Sequence, residues 1–203
     1  MKLYRARFST NSERVALALA HKGLEAESVW IDYSDRSAVE AVSGQGLVPV
    51  LADGEEVVYD SPRILAWLEE RHPDPPLFPR EEPRRAEVEV FVDWFNAVWK
   101  TWPNGIEAEL GQPEPDRALI AEYAASMDQA LDAFERLLTG RDHLMGDEFG
   151  VADVIAYPFL KFALSRPPED DELFHRILDD HQSVEGRPRL RAWIERVDDR
   201  PRI

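Results

Sequence analysis

The sequence predicts two domains of different class: an α/β unit built on a small mixed sheet, followed by an all-α helical unit. Three features carry this prediction. Strand-like and helix-like stretches alternate through the first 72 residues. The segment from His72 to Pro79 then places four prolines in eight residues and cannot continue a helix. Beyond it the apolar pattern is helical, with no convincing strand. The expected division is 1–74 for the first domain, 75–82 for a linker and 83–203 for the helical domain.

The elements come in order along the chain. Leu3 to Arg5 reads as a short strand. Asn11 to Lys22 carries Val15, Leu17, Ala18 and Leu19 at helical spacing, and Gly23 ends it. Ser28 to Ile31 is strand-like, and Ser34 to Val42 is a weak helical stretch between turn signals. Val48-Pro49-Val50-Leu51 opens a strand over 49–52, which Asp53-Gly54-Glu55 turns into a partner strand over 56–59. Proline cannot donate to a sheet ladder, so a strand that starts on one leaves the preceding backbone for another partner. From Ser61 a helix presents Ile64, Leu65 and Leu68 on one side. Asp60-Ser61 before Pro62 reads as its N-terminus, with proline in the first turn. Such a start offers unpaired N–H groups and the positive end of a dipole, which suits a carboxylate. The order is β-α-β-α-β-β-α. Helices are then expected over 82–110, 116–138, 151–165, 169–180 and 188–197.

Composition narrows the function. Hydrophobic content of 44% beside 32% charged residues is that of a soluble globular protein. The absence of cysteine excludes disulfides, thiolate metal sites and thiol redox chemistry by the protein itself. A net charge of −16 argues against direct binding of nucleic acid or an anionic membrane. No apolar run reaches membrane length and the N-terminus has no signal-peptide pattern, so a cytoplasmic protein is expected. The five histidines show no ligand spacing, and no metal is expected.

Several motifs are shared with one family. Phe8-Ser9-Thr10-Asn11-Ser12-Glu13-Arg14-Val15-Ala16-Leu17 is similar to a run in which Ser or Cys precedes an Arg-Val-x-x-Ala-Leu helix by five positions. Gly46-Leu47-Val48-Pro49-Val50-Leu51 resembles a Val-Pro segment with a cis peptide, and Asp60-Ser61 matches an acidic residue–Ser pair. Gly146 to Asp153 is similar to a helix-capping Gly-x-x-x-Ser/Thr-x-Ala-Asp motif, and Pro188-x-Leu-x-x-Trp193 and Arg200-Pro201 also fit. In this order and spacing the chain resembles the cytosolic glutathione S-transferase superfamily over its whole length. The likeness is to a serine-type bacterial member of the zeta-, beta- or tau-like kind. The fold so implied is a thioredoxin-like N-terminal domain plus an all-helical C-terminal domain.

The resemblance implies glutathione as co-substrate and a catalytic role for a hydroxyl at Ser9, with Thr10 as a second. A hydroxyl donating to the sulfur at a helix start favours the thiolate, whose parent thiol has a pKa near 8.5. Read from the residues alone, Ser9 or Asn11 simply caps the helix beginning there. The resemblance further places glutathione against Asn11, Leu47, Val48 and Pro49, with Val48 bonding the cysteinyl backbone. Asp60 and Ser61 would take its γ-glutamyl end. Leu47 stands where relatives often carry Gln or Lys, which leaves Arg36 and Gln45 as candidates for the glycine carboxylate. The stripe Phe91, Phe95, Trp99 and Trp102 has helical spacing and reads as core. The resemblance implies instead that Trp99 and Trp102 line the electrophile's pocket. The reaction implied is thiolate attack on a hydrophobic electrophile by a homodimeric enzyme. Isomerisation or dehalogenation on the same site, or a non-catalytic binding module, are the alternatives. Ser9-Thr10-Asn11 departs from the Ser-Ser-Cys of the maleylacetoacetate isomerase group.

Overall fold

Four short strands build one sheet: β1 (Lys2–Arg5), β2 (Glu27–Trp30), β3 (Val50–Asp53) and β4 (Glu56–Tyr59). The computed structural model describes all 203 residues and orders the strands β2-β1-β3-β4. β1 and β2 are parallel, which requires a crossover, and α1 (Thr10–His21) supplies it. β3 runs antiparallel to β1 and turns back through Gly54 into β4, with Val50 opposite Tyr59 and Asp53 opposite Glu56. Leu3, Val50 and Leu51 are buried between helices. α2 (Ser37–Ser43) sends Val39 into a cluster with Ile31 and Val50. The apolar side of α1 (Val15 to Leu19) and that of α3 (Ser61–Arg71), through Ile64, Leu65 and Leu68, are likewise inside.

Two of the boundaries that differ from the sequence expectation do so for local reasons that the structure shows. β3 starts at Val50 and not at Pro49, which has no N–H for the ladder. α2 starts at Ser37 and not at Ser34. The carboxylates of Asp32 and Asp35 take the backbone N–H groups of Ser34 (2.8 Å) and Ser37 (3.0 Å), so the chain turns there first. The proline segment is tied to the first unit by a buried ion pair: Lys22 Nζ donates to Glu69 Oε2 (2.8 Å) and to the carbonyls of His72 (2.6 Å) and Pro75 (3.0 Å). Glu69 in turn accepts from the Leu77 (3.0 Å) and Phe78 (3.3 Å) amides. All polar atoms of the pair are thus matched, as burial demands.

The second unit, Glu82–Asp199, is helical. It comprises α4 (Glu82–Trp94), α5 (Thr101–Leu110), α6 (Arg117–Leu137), α7 (Val151–Leu160), α8 (Leu173–Asp180) and α9 (Pro188–Asp198). The single helix expected over 82–110 is interrupted by a π-helical turn at Phe95–Trp99, which admits an extra residue and shifts the phase of α5 against α4. α8 starts at Leu173 and not at residue 169. The buried Asp170 carboxylate bonds His175 Nδ1 (2.8 Å) and the Glu172 amide (3.3 Å), which holds the preceding stretch as a loop. Every residue of α7 is buried, and Asp153 is its polar hub. The Asp153 carboxylate accepts from the amides of Leu144 and Gly150 (both 3.0 Å) and from Trp193 Nε1 (2.7 Å). Arg200–Ile203, expected with the helical domain, belong instead to the first unit. No helix is long and apolar enough to cross a membrane.

Candidate functional site

Only two non-glycine residues in the chain have positive φ, Phe8 (63°) and Asp60 (72°). Such strain, of order 1–3 kcal/mol each, clusters at ligand sites. Each immediately precedes a serine at a helix start: Ser9 before α1 and Ser61 in α3. The first unit therefore bears backbone strain twice, each time where a helix N-terminus is aimed.

Ser9 is the N-cap of α1, and its Oγ accepts from the Ser12 amide (3.2 Å). The capping role read from the residues is therefore real. It is compatible with a second role, because a hydroxyl that accepts through a lone pair still has its proton to donate. Thr10, the next residue, is almost wholly buried at 5% exposure. Asn11 lies half-buried, facing across to α3.

At α3 the arrangement is different. Asp60 occupies the N-cap position, yet its side chain makes no capping bond and is exposed. Asp116 in the same protein shows the ordinary use, accepting from the Ala118 (2.9 Å) and Leu119 (3.1 Å) amides. The turned-out Asp60 leaves the α3 N-terminus open to an outside anion. Ser61, 2% exposed, sits there with its Oγ accepting from Arg14 Nη1 (3.2 Å) and donating to Asn11 Oδ1 across 3.4 Å. The latter is long and weak, so the hydroxyl proton is readily redirected. Arg14 Nη1 also donates to Asn11 Oδ1 (3.2 Å).

Arg14 is the residue that sequence reasoning missed; the only signal for it is its place in the Arg-Val-x-x-Ala-Leu run. Its guanidinium is completely buried beneath this junction. Burial pulls its pKa down to about 9, opposed by the charge of Asp60, so it remains a cation at neutral pH. A buried cation joining Asn11 to Ser61, residues fifty apart, makes one polar cluster from two helix starts.

The 45–49 loop is fixed from within. The Gln45 side chain bonds both the Leu47 amide (2.6 Å) and the Leu47 carbonyl (3.0 Å), leaving the Leu47 side chain 68% exposed. Arg36 donates to the Gly46 carbonyl (2.9 Å) and lies over the Tyr33 ring. Both residues therefore have local work in shaping the loop. The Val48-Pro49 peptide is cis, as the resemblance implies. No backbone hydrogen bond engages Val48, which is half-buried, while Pro49 is buried.

The two tryptophans part company. Trp99 is fully buried in the second unit, stacked on Phe95 (4.5 Å, 15°) and edge-on to Phe159 (5.9 Å). That is the core role which helical aromatic spacing ordinarily signals. Trp102, beyond the π-helical turn, is half-exposed on α5.

The chain is similar to known proteins over most of its length. Residues 3–76 match the family described as glutathione S-transferase, N-terminal domain, and residues 117–196 match glutathione S-transferase, C-terminal domain. The chain is 37% identical to glutathione S-transferase Z2 of Arabidopsis thaliana over 177 residues, 82% of this chain and 78% of that protein. It is 32% identical to maleylacetoacetate isomerase of Pseudomonas aeruginosa over 169 residues, covering 79% and 80% of the two. The crystal structure of a glutathione S-transferase from Rhodospirillum rubrum superposes with a TM-score of 0.76 at 27% identity, over 98% of this chain and 88% of that one.

Proposed function

This chain belongs to the glutathione S-transferase family, and from that premise we propose that it conjugates glutathione to a hydrophobic electrophile. The observation that carries the reading is the open start of α3, where Ser61 and the buried Arg14 cation meet beside an Asp60 that does not cap. The γ-glutamyl carboxylate would take the Ser61 hydroxyl and the first free amides of α3, and Asp60 the ammonium. The unengaged backbone of Val48 suits pairing with the cysteinyl residue, a one-residue strand addition. The sulfur then lies toward Ser9, whose hydroxyl donates to the thiolate at the positive end of α1.

In the reaction the thiol proton leaves to solvent. The sulfur lone pair forms the new S–C bond, and the leaving group departs with its electron pair. The protein's contribution is thiolate stabilisation and proximity. Ser9 is the activating residue in this reading; Thr10, buried as it is, supports the turn. The finer assignment is a serine-type member of the zeta-, beta- or tau-like kind, acting as a cytoplasmic homodimer; the identity to glutathione S-transferase Z2 supports the family from which that assignment follows.

Isomerisation is a second reading, favoured by the identity to the Pseudomonas isomerase. Asn11 stands where that group carries cysteine. Calorimetric titration with glutathione, followed by turnover of a generic aryl halide, tests the proposal. Saturable binding with turnover supports it. Binding without turnover of any electrophile leaves a binding module, and absence of binding removes the site.

A further inference from the structure

Residues 200–203 belong to the first unit, and their contacts reach both ends of α1 as well as β1. Arg202 Nε donates to Glu13 Oε1 at 2.9 Å, with the two side chains 24% and 13% exposed. Arg202 Nη1 also donates to the Arg200 carbonyl (2.7 Å), which braces the segment on itself. Arg200 Nη2 donates to His21 Nδ1 (3.3 Å), while His21 Nε2 donates to the Pro76 carbonyl (3.1 Å). Arg5 Nη1 holds the Ile203 carbonyl (2.8 Å). Glu13 lies in the first turn of α1 and His21 is its last residue, so the segment is fastened at both ends of that helix.

The Glu13 end matters for charge. Glu13 is one turn on from Ser9, its amide bonding the Ser9 carbonyl at 2.9 Å. A carboxylate in the first turn stabilises a helix, but it opposes a second negative charge brought to the same end. Cations facing Glu13 include Arg202 and, from β1, Arg5, whose pKa is lowered by burial against the opposing pull of the Glu13 charge. Arg14, the other cation on α1's first turns, is directed to Ser61.

We propose that residues 200–203 form a positioning strap on α1, in which Arg202 cancels the Glu13 charge so that a thiolate at Ser9 meets the helix dipole unopposed. The inference rests on the reading of Ser9 given above. Arg202 touches no substrate and acts through Glu13.

The test titrates bound glutathione by its ultraviolet thiolate absorbance in the wild type, Arg202→Gln, Glu13→Gln and the double variant. Arg202→Gln is expected to raise the bound thiol pKa by roughly half a unit to one unit, about 3- to 10-fold in the thiol's acid dissociation constant. The double variant is expected to return to the wild-type value, and Arg202→Lys to keep most of it. An unchanged thiol pKa in Arg202→Gln, even with a lowered unfolding midpoint, overturns the proposal, because a merely structural strap moves stability alone. A shift that Glu13→Gln does not reverse overturns it as well. A wild type that fails to depress the thiol pKa removes the Ser9 reading and the strap with it. A depressed wild-type value with Arg202→Gln unmoved removes the strap only.

Discussion

Replacing Ser9 separates the cap that its hydroxyl makes from the thiolate bond proposed for it. The cap to the Ser12 amide is worth about 1 kcal/mol, within a range of about 0.5–2, when Ser gives way to Ala. In a domain the size of the first unit that lowers the unfolding midpoint by several degrees, roughly 4–8 °C per kcal/mol. The bond from the hydroxyl to a thiolate is charge-assisted, worth about 1.5–3 kcal/mol, which corresponds to roughly one to two units of thiol pKa. Ser9→Ala should therefore lose thermal stability and also about 10- to 100-fold of kcat/KM at neutral pH. Ser9→Gly refines this, because glycine is an adequate N-cap at a penalty of only tenths of a kcal/mol. Its unfolding midpoint should lie near that of the wild type while its activity matches that of Ser9→Ala. The assay is the pH profile of kcat/KM with an aryl halide beside thermal unfolding of the same preparations. Full activity in Ser9→Gly would refute the reasoning, since the hydroxyl would then have been a cap and nothing more.

Three other expectations rest on particular contacts. Arg14→Met removes the donor from Ser61 and Asn11 and should weaken glutathione binding about 10-fold, near 1.4 kcal/mol by calorimetry; unchanged affinity would take Arg14 out of the site. Asp153→Ala strands two buried donors and one half-buried one in the second unit. At roughly 1–3 kcal/mol each it should remove most of that unit's stability in chemical denaturation. Burial lowers the His21 pKa, with Arg200 and Lys22 working in the same sense against Pro76 and Glu69. The folded protein then binds fewer protons than the unfolded chain in acid. The stability this residue contributes is present above its unfolded pKa and is lost as the pH falls through that value toward the lower folded one. The unfolding midpoint should drop between neutral and mildly acid pH, and His21→Gln should flatten that drop, because its amide can donate to Pro76 and accept from Arg200 without taking a proton.

Local pattern determined most of the fold. The alternation of short apolar runs and helical faces over the first 72 residues, and the proline block after them, suffices to order the elements. Periodicity and turn chemistry act within a few residues and are visible in a linear string. Ser9, Pro49, Asp60 and Ser61 were legible for the same reason, since each stands at an element boundary with its own signature.

Pairing at a distance and competition at the edges were not visible in the string. Nothing near Arg14 announces that its guanidinium will lie buried under a serine 47 positions away. Nothing near Arg202 points to Glu13, 189 residues earlier. Asp60, at a backbone φ of 72°, makes no cap and turns outward, whereas Asp116, with the same chemistry, caps normally. Helical spacing put Trp99 and Trp102 on one stripe, but the π-helical turn and the aromatic core beside it buried the first and left the second half-exposed. Sequence settled the type and order of the elements; tertiary burial decided which charges were desolvated and which hydroxyls found partners, because both depend on neighbours that only folding assembles.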